Sequence, residues 1–315
     1  MRLPFARRGF QYNSYTYYLE DTFGERVQRV SIEGGFTCPN RDGSKGKGGC
    51  IYCNSASFSP PYSDSKYPLT KQLEEGIKFL SGRFGAQKFI AYFQNRTNTY
   101  ATIDRLKSMY REVLEHPQVV GLSVSTRPDC VDDEVLSLLA DISQEYDVNL
   151  ELGLESLKDE SLQWMNRCHN MEDSRKALAL AEKYGLDVTA HLILGLPTES
   201  RKEIFEQIDE INVLPVKFLK LHHLQVVDNT RLAEVYAKEP FKVFDYREYI
   251  EFVAEYISHL RPELILQRVL SSSPDDCLIA PKWPQTTTAF MMDLQKHMRE
   301  GEIWQGEKYK EITDS

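Results

Sequence analysis

The most constraining feature of this sequence is a regular alternation, through its middle, of short β-rich runs with longer stretches whose apolar residues recur at helical spacing. The predicted strands are Val27 to Ile32, Lys88 to Phe93, Val119 to Ser125, Val148 to Leu154, Leu186 to Leu194 and Val216 to Leu221. The predicted helices are Leu73 to Phe84, Ile103 to Leu114, Val135 to Tyr146, Ser174 to Tyr184 and Arg201 to Ile211.

This alternation predicts a parallel sheet whose strands are joined by right-handed helical crossovers, as an open doubly wound sheet or as a barrel. In either architecture ligands bind beyond the carboxyl ends of the strands, so chemistry is expected in the loops that follow them. A chain of 315 residues is long enough for two ordinary domains or for one α/β barrel with appendages.

The balance of charges limits the classes of partner. With 38 Lys and Arg against 47 Asp and Glu, the net charge of −9 argues against nucleic-acid binding by bulk attraction, although it permits a local basic patch. No segment is apolar over the roughly 18 residues that a membrane span requires, and residues 1–8 lack the apolar stretch of a signal peptide. We therefore expect a cytoplasmic protein without a membrane partner.

Three of the six cysteines lie in one short segment. Eleven residues separate Cys38 from Cys50, two separate Cys50 from Cys53, and the glycines within 43–49 let the chain bend around a cofactor. A zinc site needs four ligands, but the first histidine of the chain is His116. Three thiolates without a fourth ligand suit a 4Fe–4S cluster that keeps one iron open, with zinc and inert or redox-active thiols as the alternatives.

The remaining cysteines are Cys130, Cys168 and Cys277, and none of them has C-x-x-C spacing. Isolated cysteines are commonly buried as small apolar residues. We therefore expect these three to be buried and the protein to hold one cluster.

Seven segments carry motifs that together resemble a known family. They are Gly34 to Gly43, Gly49 to Cys53, Ala91 to Asn95, Ser125 to Asp129, Leu152 to Ser156, Asn166 to His169 and His191 to Pro197. Through these motifs the chain, roughly from Arg8 to Trp283, resembles the radical S-adenosylmethionine (SAM) superfamily. Within it, the chain is similar to the Elp3-like branch and its YtqA/YhcC-type subgroup, which share the long first cysteine gap and the Ala-Pro-Lys-Trp segment at 280–283.

The resemblance implies an α/β fold, a partial (β/α)6 TIM-like barrel with extensions at both ends. It divides the chain into an N-terminal extension, 1–26, a barrel, 27–225, with its cluster loop at 36–54, and a C-terminal extension, 226–315, packed on the barrel. Within the last segment the pattern favours a helix from Tyr246 to Leu260 and a strand-like run from Glu263 to Val269.

The implied cofactors are one 4Fe–4S cluster and SAM bound to its open iron. A reduced cluster would cleave SAM to a 5′-deoxyadenosyl radical, while the barrel positions the substrate for attack. The metal-binding and catalytic residues would be Cys38, Cys50 and Cys53.

The resemblance also implies which residues contact SAM. Glu155 and Ser156 would reach the ribose. Arg167 would pair with the methionine carboxylate, because a planar guanidinium binds a carboxylate in a bidentate way. The adenine would lie against the turn at 194–195. The full expected set is Tyr52, Phe93, Gln94, Asn95, Ser125, Arg127, Glu155, Ser156, Arg167, His191, Leu194 and Gly195.

Some of these residues have a structural alternative. Glu155 could cap the following helix, and Arg127 could form a salt bridge with Asp129. Some weaker candidates for substrate contacts could also have structural roles instead. The histidines among them could be hydrogen-bonded in the barrel wall, and the tryptophan could fill a core edge. These candidates are His222, His223, Gln225, Lys282 and Trp283, with Lys220 beside them.

The resemblance implies tRNA as the substrate. The implied step converts 5-carboxymethylaminomethyl-(2-thio)uridine at the wobble position to 5-aminomethyl-(2-thio)uridine. The implied partners are tRNA, a one-electron donor such as flavodoxin or ferredoxin, and a downstream tRNA methyltransferase. The alternatives are a radical SAM enzyme with a small-molecule or peptide substrate, and an Fe–S or zinc binding module without turnover.

A tRNA-binding surface requires local positive charge and favours aromatic rings on which bases stack. The best available basic group is Arg2, Arg7, Arg8, Lys45, Lys47, Arg96, Arg105 and Lys107. The interleaved aromatic residues are Phe5, Phe10, Tyr12, Tyr15, Tyr17 and Tyr18. The alternative for most of these rings is packing of the N-terminal segment across the barrel.

Overall fold

The computed structural model describes residues 9–54 and 59–311. Its main sheet has seven strands in the order β1-β2-β3-β4-β5-β6-β8, and every neighbouring pair runs parallel. A separate antiparallel pair is formed by β7 and β9. The strands are β1 (Val27–Ile32), β2 (Lys88–Phe93), β3 (Val119–Thr126), β4 (Asp147–Glu155), β5 (Asp187–Leu194), β6 (Phe218–His223), β7 (Val226–Val227), β8 (Ile265–Arg268) and β9 (Leu278–Ala280).

Most of the helices connect these strands as crossovers. Asn170 and Ser200 begin two of them with capping boxes, in which the side chain of the first residue and that of the third helical residue satisfy each other's backbone N–H groups. The helices are α1 (Tyr15–Phe23), α2 (Leu69–Phe84), α3 (Ile103–Leu114), α4 (Asp133–Ser143), α5 (Asp159–Trp164), α6 (Met171–Lys183), α7 (Arg201–Val213), α8 (Arg231–Lys238), α9 (Tyr246–His259) and α10 (Thr287–Glu300).

The sheet is curled into a partial barrel. Lys220 on β6 donates to the hydroxyl of Tyr92 on β2 at 2.8 Å, although three strands lie between them in the sheet. In a flat sheet strands four positions apart would be roughly 19 Å apart, because neighbours are spaced at about 4.8 Å. The α/β partial barrel predicted above is therefore confirmed.

The seventh strand corrects one detail of the sequence analysis. The strand-like run from Glu263 to Val269 was expected in the C-terminal extension, yet β8 within it pairs in parallel with β6 and extends the barrel sheet. Its residues Leu266 and Arg268 therefore belong to the barrel wall.

The N-terminal segment closes the amino-terminal end of the barrel. Leu266 on β8 donates its backbone N–H to the carbonyl of Asn13, and α1 follows directly. Tyr15 and Leu19 of α1 are buried in a small apolar cluster that includes residues at or near the start of several strands. These strand residues are Val27, Ile90, Phe218 and Ile265.

The packing of the N-terminal aromatic rings confirms the alternative to a base-stacking surface for most of them. Tyr12 and Tyr15 are buried, and the ring of Tyr18 lies edge-on to Phe218 at 5.1 Å between centroids. Phe10 contacts Tyr17 in the same manner at 4.8 Å. Phe5 lies outside the described residues.

None of the helices within 9–54 and 59–311 combines the length and the apolar character needed to cross a bilayer.

We expect truncation of Phe218 to destabilise the protein, because its ring is buried between α1 and the barrel floor. Phe218→Ala should lower the free energy of unfolding by about 3–5 kcal/mol, the usual cost of emptying a large core site. The matched control is Phe79→Ala, whose ring is 50% exposed and whose loss should cost at most about 0.5 kcal/mol. Urea denaturation followed by circular dichroism measures both, and equal effects would contradict this account of α1.

Candidate active site

A cavity of about 260 Å³ opens at the carboxyl ends of the strands. The loop after β1, which carries the three clustered cysteines, forms one side of it, and residues of β2 to β6 and β8 form the rest. Of the SAM and substrate contacts expected from the sequence, it brings together Tyr52, Gln94, Asn95, Ser125, Arg127, Glu155, Arg167, His191, His222, His223 and Gln225.

The cysteine loop is held in shape by its own backbone. The N–H groups of Arg41 and Asp42 donate to the carbonyl of Cys38, and the N–H of Gly49 returns to the carbonyl of Asn40 at 2.8 Å. Gly49 has a φ of 78°, and a Cβ there would lie 2.8 Å from Nε of Arg41. Only glycine therefore suits this position, just before the second cysteine.

The loop is also fastened to the segment that follows α5. The N–H of Ile51 donates to the carbonyl of Met165 at 3.0 Å, and the side-chain amide of Asn166 donates to the carbonyl of Gly49 at 2.7 Å. Asn40 donates to the carbonyl of Asn166 and lies 3.6 Å from Sγ of Cys50. Residues distant in sequence thus position the cysteines.

The three thiols fit a cluster better than a single ion. Cys38, Cys50 and Cys53 all line the cavity and none is in a disulfide. Among the described residues, no three His, Cys, Asp or Glu side chains converge closely enough to hold one metal ion, as tetrahedral zinc requires. In a 4Fe–4S cube each thiolate binds a different iron, so the sulfurs need not converge on one point.

Positive charge favours thiolates in this loop. Burial, and next the neighbouring Cys50, raise the pKa of Cys53, so a group of adjacent thiolates needs a cation. Iron supplies such charge, and the guanidinium of Arg41, which donates to the carbonyl of Cys53 at 2.9 Å, lies beside the group. The donor set therefore fits a three-cysteine cluster.

Arg167 links the cysteine loop to the end of β4. One of its terminal nitrogens lies 3.4 Å from Sγ of Cys50 and 3.4 Å from the hydroxyl of Tyr52, and the other donates to the carbonyl of Gly153 at 2.5 Å. Glu155 is 3.8 Å away. Nε of Arg167 is buried without a hydrogen-bond partner among the described residues, which leaves one donor for a ligand in the cavity.

Glu155 has a positive φ of 70°, an uncommon conformation for a residue other than glycine. It interrupts the regular pairing of β4 with β5, and its carboxylate lies along the cavity wall. The alternative role as a helix cap is not what the structure shows, because Lys158 precedes the next helix directly.

Arg127 forms the salt bridge that was its alternative role. Its guanidinium donates to both carboxylate oxygens of Asp129, at 2.8 and 3.0 Å, and Lys45 lies 2.7 Å from the same carboxylate. These cations keep the pKa of Asp129 low, although burial alone would raise it. The remaining terminal nitrogen of Arg127 is buried and unpartnered within the described part of the chain, and the residue lines the cavity.

A buried carboxylate that the sequence analysis missed lies beneath these residues. Glu151 on β4 is fully buried and accepts from Tyr92 at 2.6 Å and from Lys220 at 2.9 Å. Nε2 of His191 lies 2.9 Å from the same oxygen, and Arg29 on β1 donates to the other oxygen at 2.8 Å. The charged residue within the otherwise uncharged strand run VNLELGL was the one signal that could have revealed it.

This arrangement alters proton affinities near the cavity floor. Burial lowers the pKa of Lys220 to about 7, against the opposing effect of Glu151. The pKa of Glu151 itself is held well below its usual value by Lys220 and His191, although burial alone would raise it. Burial, and next Arg268, lower the pKa of His222. The floor therefore combines a buried carboxylate with one amine, that of Lys220, whose pKa lies near neutral pH.

Two expected SAM contacts do not line the cavity. Side chains alternate along a strand, so Tyr92 faces the interior while Phe93 faces outward and packs on Phe36 and Tyr110. Ser156 hydrogen-bonds Glu199 and accepts the N–H of Lys158, which serves the start of α5. Neither side chain lines the cavity, and the expected contacts of these two residues with SAM stay predictions.

The turn at 194–195 and the 282–283 segment also lie away from the cavity lining. Leu194 is buried, and a Cβ on Gly195 would lie 2.6 Å from the ring of Phe244, so the close approach there is to a protein ring. Trp283 stacks on His223 at 4.4 Å and donates to the carbonyl of Phe244, which confirms its alternative role at a core edge. Lys282 is exposed and outside the cavity.

The isolated cysteines are less buried than expected. Cys168 is exposed and Cys130 and Cys277 are half-buried, so the expectation of burial is wrong for all three. Lys45, which is paired with Asp129, and Arg105, which donates to the carbonyl of Gly34, are exposed members of the proposed basic group, and so are its other described members. Those members are Lys47, Arg96 and Lys107, and Arg2, Arg7 and Arg8 lie outside the described residues.

Comparison with known families identifies the class of protein that has this barrel and cysteine loop. The model of the Radical SAM superfamily matches residues 37–211, and that of the Radical_SAM C-terminal domain matches residues 216–300. The chain therefore belongs to the radical SAM superfamily. Members of this superfamily typically use a 4Fe–4S cluster and SAM.

Two bacterial proteins are similar to the chain over most of its length. It is 35% identical to protein YhcC of Escherichia coli over 279 residues, 88% of this chain and 89% of that protein. It is 29% identical to the uncharacterized protein YtqA of Bacillus subtilis over 99% of this chain and 97% of that protein. Both similarities agree with the expected subgroup.

Two more distant similarities involve archaeal proteins. A tRNA uridine(34) acetyltransferase of Methanocaldococcus jannaschii is 28% identical over 49% of this chain and 28% of its own length. The solved structure of Elp3 from Methanocaldococcus infernus superposes with a TM-score of 0.65 at 19% identity, covering 89% of this chain and 64% of that chain. This structural likeness shows a shared fold.

We expect the charge of Glu151 to be essential for stability. Glu151→Gln leaves Arg29 and Lys220 buried without a counter-charge and should lower the free energy of unfolding by about 3–5 kcal/mol. The double variant Glu151→Gln/Lys220→Met should regain part of this loss, because it removes one of the unpaired cations. Denaturant titration compares both with Glu145→Gln, whose side chain is 61% exposed. A single variant as stable as that control would refute the account.

Proposed function

We propose that this chain is an Elp3-like radical SAM enzyme that modifies the wobble uridine of tRNA. The proposed reaction converts 5-carboxymethylaminomethyl-(2-thio)uridine to 5-aminomethyl-(2-thio)uridine. It breaks the N–CH2 bond of the carboxymethyl group, which would leave as glyoxylate, with water as the source of its carbonyl oxygen and SAM as the two-electron oxidant. The observation that carries the proposal is a single cavity in which three cysteines face a floor of titratable side chains. The partial similarity to a tRNA uridine(34) acetyltransferase supports a uridine at the same tRNA position as the target.

The residues of this chain have separate tasks in that reaction. Cys38, Cys50 and Cys53 would hold the cluster, and the free Nε of Arg167 would orient the methionine carboxylate beside it. When bound, a reduced cluster and SAM supply a 5′-deoxyadenosyl radical. Lys220, with a pKa near 7, would give or take a proton on the opposite side of the cavity.

The proposal includes partners that act outside the cavity. A one-electron donor such as flavodoxin or ferredoxin would reduce the cluster, and a tRNA methyltransferase would act on the product. Exposed Arg96 at the cavity rim would meet the phosphates of the anticodon arm. The enzyme is proposed to work in the cytoplasm, where its substrate is found.

Removal of any one clustered cysteine should abolish cluster binding. After anaerobic reconstitution the parent protein should hold about four irons, as one cubane site requires, and Cys38→Ala, Cys50→Ala and Cys53→Ala should hold close to none. The matched controls are Cys130→Ala, Cys168→Ala and Cys277→Ala, which should keep the full content. Iron analysis and electron paramagnetic resonance measure the outcome. About eight irons, or loss in a control, would show a second site.

The reaction class and the substrate are tested separately. With SAM and dithionite, the reconstituted protein should release 5′-deoxyadenosine, whereas a binding module without turnover would release none. Nucleosides of tRNA from cells that lack the protein should then accumulate the carboxymethylaminomethyl form, as measured by liquid chromatography and mass spectrometry. Release of 5′-deoxyadenosine with unchanged tRNA would favour a small-molecule or peptide substrate. Binding of tRNA should also weaken as salt is added, because phosphate contacts release counterions.

A further inference from the structure

The cavity is strongly cationic in a chain whose net charge is −9. Among the described residues that line it, Glu155 is the only carboxylate. The cations that line it are Arg41, Arg96, Arg127, Arg167, Lys220 and Arg268. A concave surface with this excess of positive charge favours an anionic ligand.

Most of these cations already have partners in the protein. Arg127 is bound to Asp129 and Lys220 to Glu151, while Arg41 and Arg167 contact the cysteine loop. Arg96 is exposed at the rim, where water solvates it.

Arg268 is the exception in the barrel wall. Its guanidinium is only partly exposed, and it makes neither a hydrogen bond nor an ion pair within 4 Å with any residue that the structure describes. Burial, and next the nearby Arg29, lower its pKa, which shows that the surrounding protein destabilises its charge. An inward-facing arginine without a counter-charge is uncommon, because burying an unpaired ion is costly.

The strand register shows where this charge lies. Arg268 on β8 is paired with Lys220 on β6, and Lys220 is paired with His191 on β5. Arg268 is therefore at the level of the cavity floor. It lies on the last strand of the sheet, whereas Arg127 and Arg167 follow β3 and β4 in the chain.

The charges of the floor do not balance within the protein. Glu151 is one carboxylate, and it faces both Arg29 and Lys220 at hydrogen-bonding distance. Arg268 adds further positive charge beside them, within electrostatic range of Glu151 and Arg29. One additional anion bound at Arg268 would compensate this excess.

We propose that Arg268 binds a carboxylate of the substrate inside the barrel and so selects substrates that end in one. The inference rests on the proposed function, in which the carboxymethylaminomethyl group of the uridine carries such a carboxylate. Two parallel N–H···O bonds from one guanidinium would fix its orientation. Tyr92 and His222, which also line the cavity, would flank the group, and the phosphates of the tRNA would stay at the rim.

The test uses two synthetic anticodon stem–loop RNAs that differ only at the end of the uridine substituent, which is a carboxylate in one and an N-methylamide in the other. Consumption of each RNA and release of 5′-deoxyadenosine are measured for the reconstituted parent enzyme, Arg268→Gln and Arg268→Lys. Arg83→Gln, on the exposed surface of α2, is the control for the loss of a positive charge.

The parent enzyme and Arg83→Gln should prefer the carboxylate RNA by roughly 10- to 100-fold in kcat/KM, as a charge-assisted hydrogen-bonded pair implies. This preference should fall to within about twofold in Arg268→Gln and be intermediate in Arg268→Lys, which keeps the charge but loses the planar fork. An unchanged preference in Arg268→Gln would overturn the inference and leave the tRNA function standing.

The remaining outcomes separate the two proposals. A parent enzyme that consumes both RNAs equally supports the tRNA function and excludes the carboxylate site. A parent enzyme that releases 5′-deoxyadenosine but consumes neither RNA refutes the proposed substrate, and the inference with it. Release of 5′-deoxyadenosine is also measured in the absence of RNA. If Arg268→Gln lowers this release by the same factor as it lowers RNA consumption, Arg268 binds SAM and the inference is wrong.

Discussion

The fold depends on one buried carboxylate, Glu151, which holds the inner faces of several strands together. Hydrogen bonds reach it from β1, β2, β3, β5 and β6, through Arg29, Tyr92, Ser123, His191 and Lys220. A buried carboxylate must be compensated, so these side chains are drawn to one point and the sheet is curled around it. The same convergence leaves space above Glu151 and defines the floor of the cavity.

The cysteine loop is held in place mainly by hydrogen bonds to backbone groups. Its shape depends on backbone hydrogen bonds within 38–49 and on anchors from Met165 and Asn166. Those anchors belong to the segment that also carries Arg167, which lies at hydrogen-bonding distance from Sγ of Cys50. The cysteine side of the cavity and Arg167, the residue expected to bind the carboxylate of SAM, are thus parts of one hydrogen-bonded unit.

An acidic chain can present a cationic cavity because its negative and positive groups lie in different parts of the structure. Many of its carboxylates lie on exposed helix faces, as in the pairs Lys176–Glu172 and Lys202–Glu206, where water screens them. The guanidinium and ammonium groups at the strand ends face inward and are screened much less. Net charge predicts no bulk binding to nucleic acid, yet it says nothing about the sign of the potential inside the barrel.

Features that depend on neighbours in the chain were predictable from the sequence, whereas features that depend on distant residues were not. The bounds of β1, β2 and α3 agree with the sequence analysis, because hydrophobic periodicity is a local property. The three cysteines were recognisable because they are neighbours in the chain. The membership of β8 in the barrel sheet and the positions of Glu151 and Arg268 inside the barrel were not recognisable from the sequence, since each depends on strands that are far apart in the chain.

What the sequence by itself determined is the kind and order of the six predicted strands and of the helices predicted between them, the clustering of three cysteines and the family motifs. What only the tertiary structure decided is which side chains reach the cavity. Adjacent residues of a strand point to opposite faces, so Tyr92 lies in the interior and Phe93 in the outer core, although both belong to the same motif. A motif identifies a segment of the chain, but the curvature of the sheet determines which side chains meet inside the barrel.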